Sequence, residues 1–82
     1  MNDTITFKIG GDDEERIRHT LGIVYNALKE KGYSPISQIV GYILSEDPTY
    51  ITTHNNARNL MCKIDRDDLL RIVLQKYISD IN

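Results

Sequence analysis

Ile17, Leu21, Val24 and Leu28 recur at intervals of four, three and four residues, the repeat that gathers apolar side chains onto one stripe of an α-helix. A stripe of that width has to be buried against other elements, so the rest of the chain must supply matching faces. The local signals around the repeat agree with it. Asp12, Asp13, Glu14 and Glu15 offer capping and first-turn acids, Lys29 and Lys31 place positive charge in the last turn, and Gly32 provides a left-handed stop. The spacing predicts a helix from Asp12 to about Lys31. Ahead of it, Asn2 to Ile9 alternates β-branched and polar residues and then meets Gly10-Gly11, which separates the segment from the helix. We read residues 1–11 as an extended, flexible arm.

The same reading continues downstream. Ser34-Pro35 opens a second helix, since serine caps free amides and proline suits the first helical position. Its apolar residues Ile36, Ile39, Val40, Ile43 and Leu44 place it at the centre of the core, and Gly41 inside it predicts a close helix crossing. Asp47-Pro48 repeats the cap-then-proline signature and predicts a single turn through Thr49, Tyr50 and Ile51. A third helix runs from about Asn56 to Ile64 with Ala57, Leu60, Met61 and Ile64 on one face. Asp65 caps a last helix whose stripe is Leu70, Val73, Leu74, Tyr77, Ile78 and Ile81, widened by Leu69 and Ile72. So broad a face on a terminal helix favours burial from two sides, as a homodimer provides. The expected fold is all-α: a small compact helical bundle, a single domain over residues 12–82, homodimeric, with the arm in front.

Size and charge narrow the function. A chain of 82 residues sits near the lower limit for one self-sufficient core, which again points to a partner. Five acids (Asp3, Asp12, Asp13, Glu14, Glu15) against Lys8 alone give residues 1–15 a net −4, and because the whole chain carries −2 the remainder carries +2. An acidic leader before a mildly basic body argues against charge-driven nucleic-acid binding. The single cysteine, Cys62, cannot form an internal disulfide. No basic-then-apolar leader and no apolar run long enough to span a bilayer are seen, so the expected location is cytoplasmic, without direct membrane insertion.

The chemistry-bearing residues do not converge. His19, His54 and Cys62 are isolated from one another in sequence, so no metal or cofactor is expected. Cys62 has no local histidine to activate it. Asp67 and Asp68 fall in the first turn of a helix, where acids serve the dipole rather than acid–base catalysis. Gly10-Gly11 lacks the lysine and the spacing of a phosphate loop. The chain is thus expected not to be an enzyme. Arg58, Lys63 and Arg66 cluster around the third helix, and Arg58 and Arg66, about two turns apart, can share a face toward an acidic or phosphorylated partner. A short helix, a turn and another helix also raise the alternative of a small helix-turn-helix-like DNA-binding regulator, though its recognition helix would begin with Asp65-Arg-Asp-Asp68 and repel phosphate. In the arm, Thr4 and Thr6 are hydroxyls in the kind of segment a kinase accepts, beside the apolar Ile5 and Phe7.

The run from Lys31 to Ile51 (KGYSPISQIVGYILSEDPTYI) closely resembles the core motif of the IreB family, and Asn56-Ala-Arg-Asn-Leu60 and Asp65-Arg-Asp-Asp-Leu69 resemble further segments of that family, so that the likeness covers nearly the whole chain. The resemblance implies a cytoplasmic, homodimeric, all-helical regulatory phosphoprotein of Gram-positive bacteria. It implies a Ser/Thr protein kinase with PASTA repeats and its cognate phosphatase as partners, and control of peptidoglycan synthesis, with a Clp protease adaptor or a cell-wall enzyme downstream. Thr4-Ile-Thr-Phe7 fits the family's acceptor pattern, making Thr4 the implied phosphoacceptor and Thr6 a second candidate. Of an arginine stripe that the family carries, Arg58 and Arg66 are present, while Thr53 and Cys62 stand at the other basic positions. Glu46 replaces a turn glycine, from which a turn without positive φ is expected.

Overall fold

The computed structural model describes residues 5–82, with side chains described from residue 14 onward. Among the described residues the regular structure is entirely helical. Helix α1 spans Ile5–Glu30, α2 Pro35–Ser45, α3 Ala57–Cys62 and α4 Arg66–Ile81, with single 3-10 turns at Pro48–Tyr50 and His54–Asn56.

Helix α1 is the spine. Its Ile17, Val24, Ala27 and Leu28 are buried, with Leu21 packed beside them, and they meet Ile51, Ala57, Met61, Ile64 and Leu69 from the second half of the chain. The apolar stripe expected of this helix is therefore the one it buries. Thr20, the one buried polar residue among those described, lies on the same face. The stop is as expected: Gly32 has φ +85°, and the Tyr33 amide donates to Leu28 O at 2.9 Å while the Gly32 amide donates to Lys29 O at 3.0 Å, closing the last turn.

The start differs from expectation. The helix begins at Ile5 rather than Asp12 and runs through Gly10-Gly11, so Asp12 to Glu15 lie within it and not in its first turn. Once a helix is nucleated and packed downstream, each added residue contributes a hydrogen bond, and a glycine costs roughly 1 kcal/mol without being a stop.

Helix α2 is not the centre of the core. Only Tyr42 is buried on it, Ile39 and Ile43 pack partly against the core, and Ile36, Val40 and Leu44 face solvent. An 11-residue helix that meets α1 along one side buries only the residues on that side, and Ile51 and Met61 fill the space assigned to α2. The close approach at Gly41 is real but of another kind. A Cβ there would lie 2.6 Å from Tyr50 Cδ1, so the glycine seats an aromatic ring rather than a crossing helix. Gln38 Nε2 donates to Tyr50 O at 2.9 Å and holds the turn in place.

The caps follow the sequence closely. Asp47 accepts from the Thr49 amide at 3.0 Å, and Asp65 accepts from the Asp67 amide at 2.8 Å. Ser34 occupies the cap position with Pro35 behind it, but its hydroxyl bonds Ser37 Oγ at 3.3 Å instead of a free amide. Helix α3 is shorter than expected. Two consecutive left-handed residues, Asn55 (φ 55°) and Asn56 (φ 62°), set its start at Ala57.

Candidate functional site

Arg58 and Arg66 reach the same stretch of chain from two sides. Arg58, on α3, donates from Nε to Ile51 O at 2.8 Å. Arg66, the first residue of α4, donates from Nη1 to Ile43 O at 2.6 Å and from Nη2 to the Glu46 carboxylate. The connection from the end of α2 to the entry of α3 is thereby held between two guanidinium groups. The bonds to Ile51 O and Ile43 O each satisfy a carbonyl at the end of a turn or helix.

Glu46 reverses the expectation that its turn avoids positive φ. It caps α2 at φ 62° and ψ 19°, with its amide donating to Tyr42 O at 2.8 Å. The αL geometry costs a residue with a Cβ roughly 1 kcal/mol or more, and the Arg66 ion pair offsets part of that. Sequence reasoning missed this because the compensation comes from a residue twenty positions away.

The charges around the two arginines are ordered. Asp47 lies beside them; hydrogen bonds from the Thr49 hydroxyl and amide, and then the Arg58 charge, hold its carboxyl below the usual range. Tyr42 lies beneath. Burial, followed by a hydrogen bond with the Cys62 thiol, pushes its phenol above the usual 10.0, with Glu46 adding to the effect and Arg66 opposing it. Cys62 itself is an exposed free thiol. Thr53 is exposed and caps the 3-10 turn at His54–Asn56 with its carbonyl, which accepts from the Asn56 amide at 3.1 Å. Lys63, which ends α3, is exposed.

His54, read in isolation from sequence, has a partner: its Nε2 lies 2.7 Å from Glu30 Oε1 and ties the turn to the end of α1. Among the described residues no three His, Cys, Asp or Glu side chains converge. An apolar groove of about 340 Å³ runs between α1 and α4, floored by Ile17, Leu21, Ile72 and Tyr77 and rimmed by Glu14, Arg18, Lys76 and Asp80. Thr4 lies outside the described residues. Thr6 falls inside α1, and its side chain is among those not described. No helix among the described residues is long and apolar enough to cross a membrane.

Helices stacked on one spine, two arginines engaged with the backbone between α2 and α3, and exposed apolar faces on α2 and α4 define the class: a small all-helical protein. Comparison with known proteins gives the family. The model of the IreB regulatory phosphoprotein family matches residues 2–79, and the chain belongs to that family. Relatives carrying the name UPF0297 protein, the same family, align with nearly the whole chain. One from Ruminiclostridium cellulolyticum is 49% identical over 82 residues, covering 100% of this chain and 93% of the relative. Another, from Lachnoclostridium phytofermentans, is 48% identical over 80 residues, covering 98% and 91%. A third, from Acetivibrio thermocellus, is 51% identical over 79 residues, covering 96% and 88%.

Proposed function

We propose that this chain is a non-enzymatic, cytoplasmic, homodimeric regulator switched by phosphorylation of Thr4, with a membrane Ser/Thr kinase bearing PASTA repeats as writer and its cognate phosphatase as eraser. Its output is control of peptidoglycan synthesis through a protein partner, a Clp protease adaptor or an early cell-wall enzyme. The observation that carries this reading is the match to a regulatory phosphoprotein family over residues 2–79, a span that includes Thr4-Ile-Thr-Phe7. The large apolar side chains left exposed on α2 and α4 support a protein partner and a second copy.

Arg58 and Arg66 contribute differently to a partner surface. Both Arg66 terminal nitrogens are occupied within the fold, whereas Arg58 uses only its Nε. The free fork of Arg58 is the better donor to an acidic or phosphorylated partner. The test is phosphate incorporation by a PASTA-type kinase into the intact chain. Thr4→Ala is expected to abolish most of it and Thr6→Ala to leave it largely unchanged. Incorporation that survives Thr4→Ala and disappears in Thr6→Ala would move the acceptor. Incorporation into neither form, nor into the parent chain, would remove the switch itself.

A further inference from the structure

Two guanidinium groups are fixed to one stretch of backbone and differ in what covers them. Arg58 Nε donates to Ile51 O at 2.8 Å, and Arg66 Nη1 donates to Ile43 O at 2.6 Å. The two carbonyls lie eight residues apart, on either side of the end of α2. One such bond fixes where a guanidinium sits and leaves the rest of its five-donor fork available. Beyond these anchors the pair diverges. The terminal nitrogens of Arg58 make no hydrogen bond among the described residues, whereas Arg66 Nη2 is covered by the Glu46 carboxylate.

The acids near the two forks are not equivalent. Asp47 Oδ1 accepts from the Thr49 amide at 3.0 Å and from its hydroxyl at 2.7 Å, so it holds the turn. Asp65 accepts from the Asp67 amide, and Asp68 pairs with Arg71 at 3.0 Å. Glu46 has no such second task. Its carboxylate bonds only Arg66 among the described residues, its side chain is 65% exposed, and its backbone is held at φ 62°. A partly exposed ion pair of this kind contributes little and exchanges easily. When Glu46 swings away, the bond to Ile43 O keeps the Arg66 guanidinium in place, so the fork is uncovered without having to be ordered again. Residues 46–71 carry five acids against four bases. The net field therefore attracts no acidic partner, and recognition falls to the placed forks, whose planar donors match a carboxylate two at a time.

We propose that Arg58 and Arg66 form a two-point site for carboxylates on an acidic segment of a protein partner, and that Glu46 is its built-in competitor, covering the Arg66 point until a partner carboxylate displaces it. This rests on the reading of Arg58 and Arg66 as a partner surface and adds to it the residue that regulates access. Arg58 makes the first contact, because its fork is open. Exchange at Arg66 follows, with one carboxylate replacing another and the fold unchanged.

The test titrates the full chain with the synthetic peptide Asp-Asp-Glu-Glu at low ionic strength, following the arginine side-chain resonances by NMR, with circular dichroism confirming that each variant is folded. Glu46→Gln keeps the size of the side chain and is expected to bind the peptide about fivefold more tightly than the parent, the scale of one exposed ion pair, with the Arg66 resonance shifting at lower peptide concentration. Asp67→Asn removes an acid from the same surface without touching Arg66, and is expected to give a smaller gain. In an Arg66→Gln background the gain from Glu46→Gln is expected to vanish. Equal gains from Glu46→Gln and Asp67→Asn, or no gain from either while Arg58→Gln still weakens binding, overturn the competitor and leave the partner surface standing. Peptide binding that is indifferent to both Arg58→Gln and Arg66→Gln, or absent from the parent and from Glu46→Gln alike, overturns the partner surface as well.

Discussion

The Arg66 guanidinium bridges the last turn of α2 to the residue that ends it, donating to Ile43 O at 2.6 Å and pairing with the Glu46 carboxylate. A left-handed glutamate is thus held by a charge from another helix. Removing Arg66 leaves a half-buried carbonyl and a strained cap without support. A charge-assisted bond to a carbonyl and a partly exposed ion pair together suggest that Arg66→Ala destabilises by about 2 kcal/mol.

Glu46 separates the two contributions. Glu46→Ala loses the ion pair and keeps the αL strain, while Glu46→Gly loses the pair and the strain together. The glycine variant is therefore expected to be more stable than the alanine variant by roughly 1 kcal/mol, as measured by urea denaturation. Equal stabilities would show that the φ of 62° costs nothing here.

Much of the fold was legible in the sequence, and the failures share a cause. The stripe of α1, the Gly32 stop, the Asp47 and Asp65 caps and the Ala57-Met61-Ile64 face all depend on residues within a turn or two of each other. The burial of α2, the cap at Glu46 and the Glu30–His54 pair depend on contacts across the chain, and no local pattern reports those. For the candidate site, the sequence placed Arg58 and Arg66 on neighbouring elements, but not their engagement with Ile51 and Ile43. Backbone carbonyls leave no trace in residue identity. The start of α1 was missed for the opposite reason. Gly10-Gly11 is a strong local signal, and helix propagation outweighs it.

Gly41 and Tyr50 provide a test of packing over propensity. Gly41→Ala gains helix propensity of about 1 kcal/mol but drives a methyl into the Tyr50 ring. In the parent chain the change is expected to be neutral or destabilising. With Tyr50→Ala already present the same change is expected to stabilise, so a double-mutant cycle on thermal unfolding should show clear coupling. Additive effects would mean that the ring moves aside freely.

Two groups titrate away from their usual ranges, in opposite directions. Asp47 is held low by Thr49 and Arg58, so its contribution to stability is present above the unfolded-state value and is lost as pH falls through the folded one. Asp47→Asn is expected to flatten that part of the acid limb. Tyr42 is held high by burial and Cys62; its contribution is present below 10 and is lost as pH rises through the raised value. Among the five tyrosines, ultraviolet titration should find a late one that Tyr42→Phe removes. A late tyrosine that persists in that variant would assign the shift elsewhere.

Phosphorylation of Thr4, the acceptor we propose, has two physical outcomes open to it. The phosphate could fold the arm onto the basic body and cover Arg58, or it could act where it stands and repel an acidic partner. The continuous helix favours the second. Thr4 immediately precedes Ile5, the first residue of α1, and the 3-10 turn that leads into α3 is tied to the opposite end of that helix, where His54 meets Glu30. At about 1.5 Å per residue, some 25 residues of helix keep the two ends well over 30 Å apart. A phosphate at the front of a helix also favours the helix, because it faces the free amides and the positive end of the dipole. Phosphorylated chain is therefore expected to show slower amide exchange over residues 6–9 and unchanged resonances around Arg58. Shifts at Arg58 and at the amides of Ala57 to Leu60, lost again in Arg58→Gln, would show instead that α1 breaks at Gly10-Gly11 and the arm folds back.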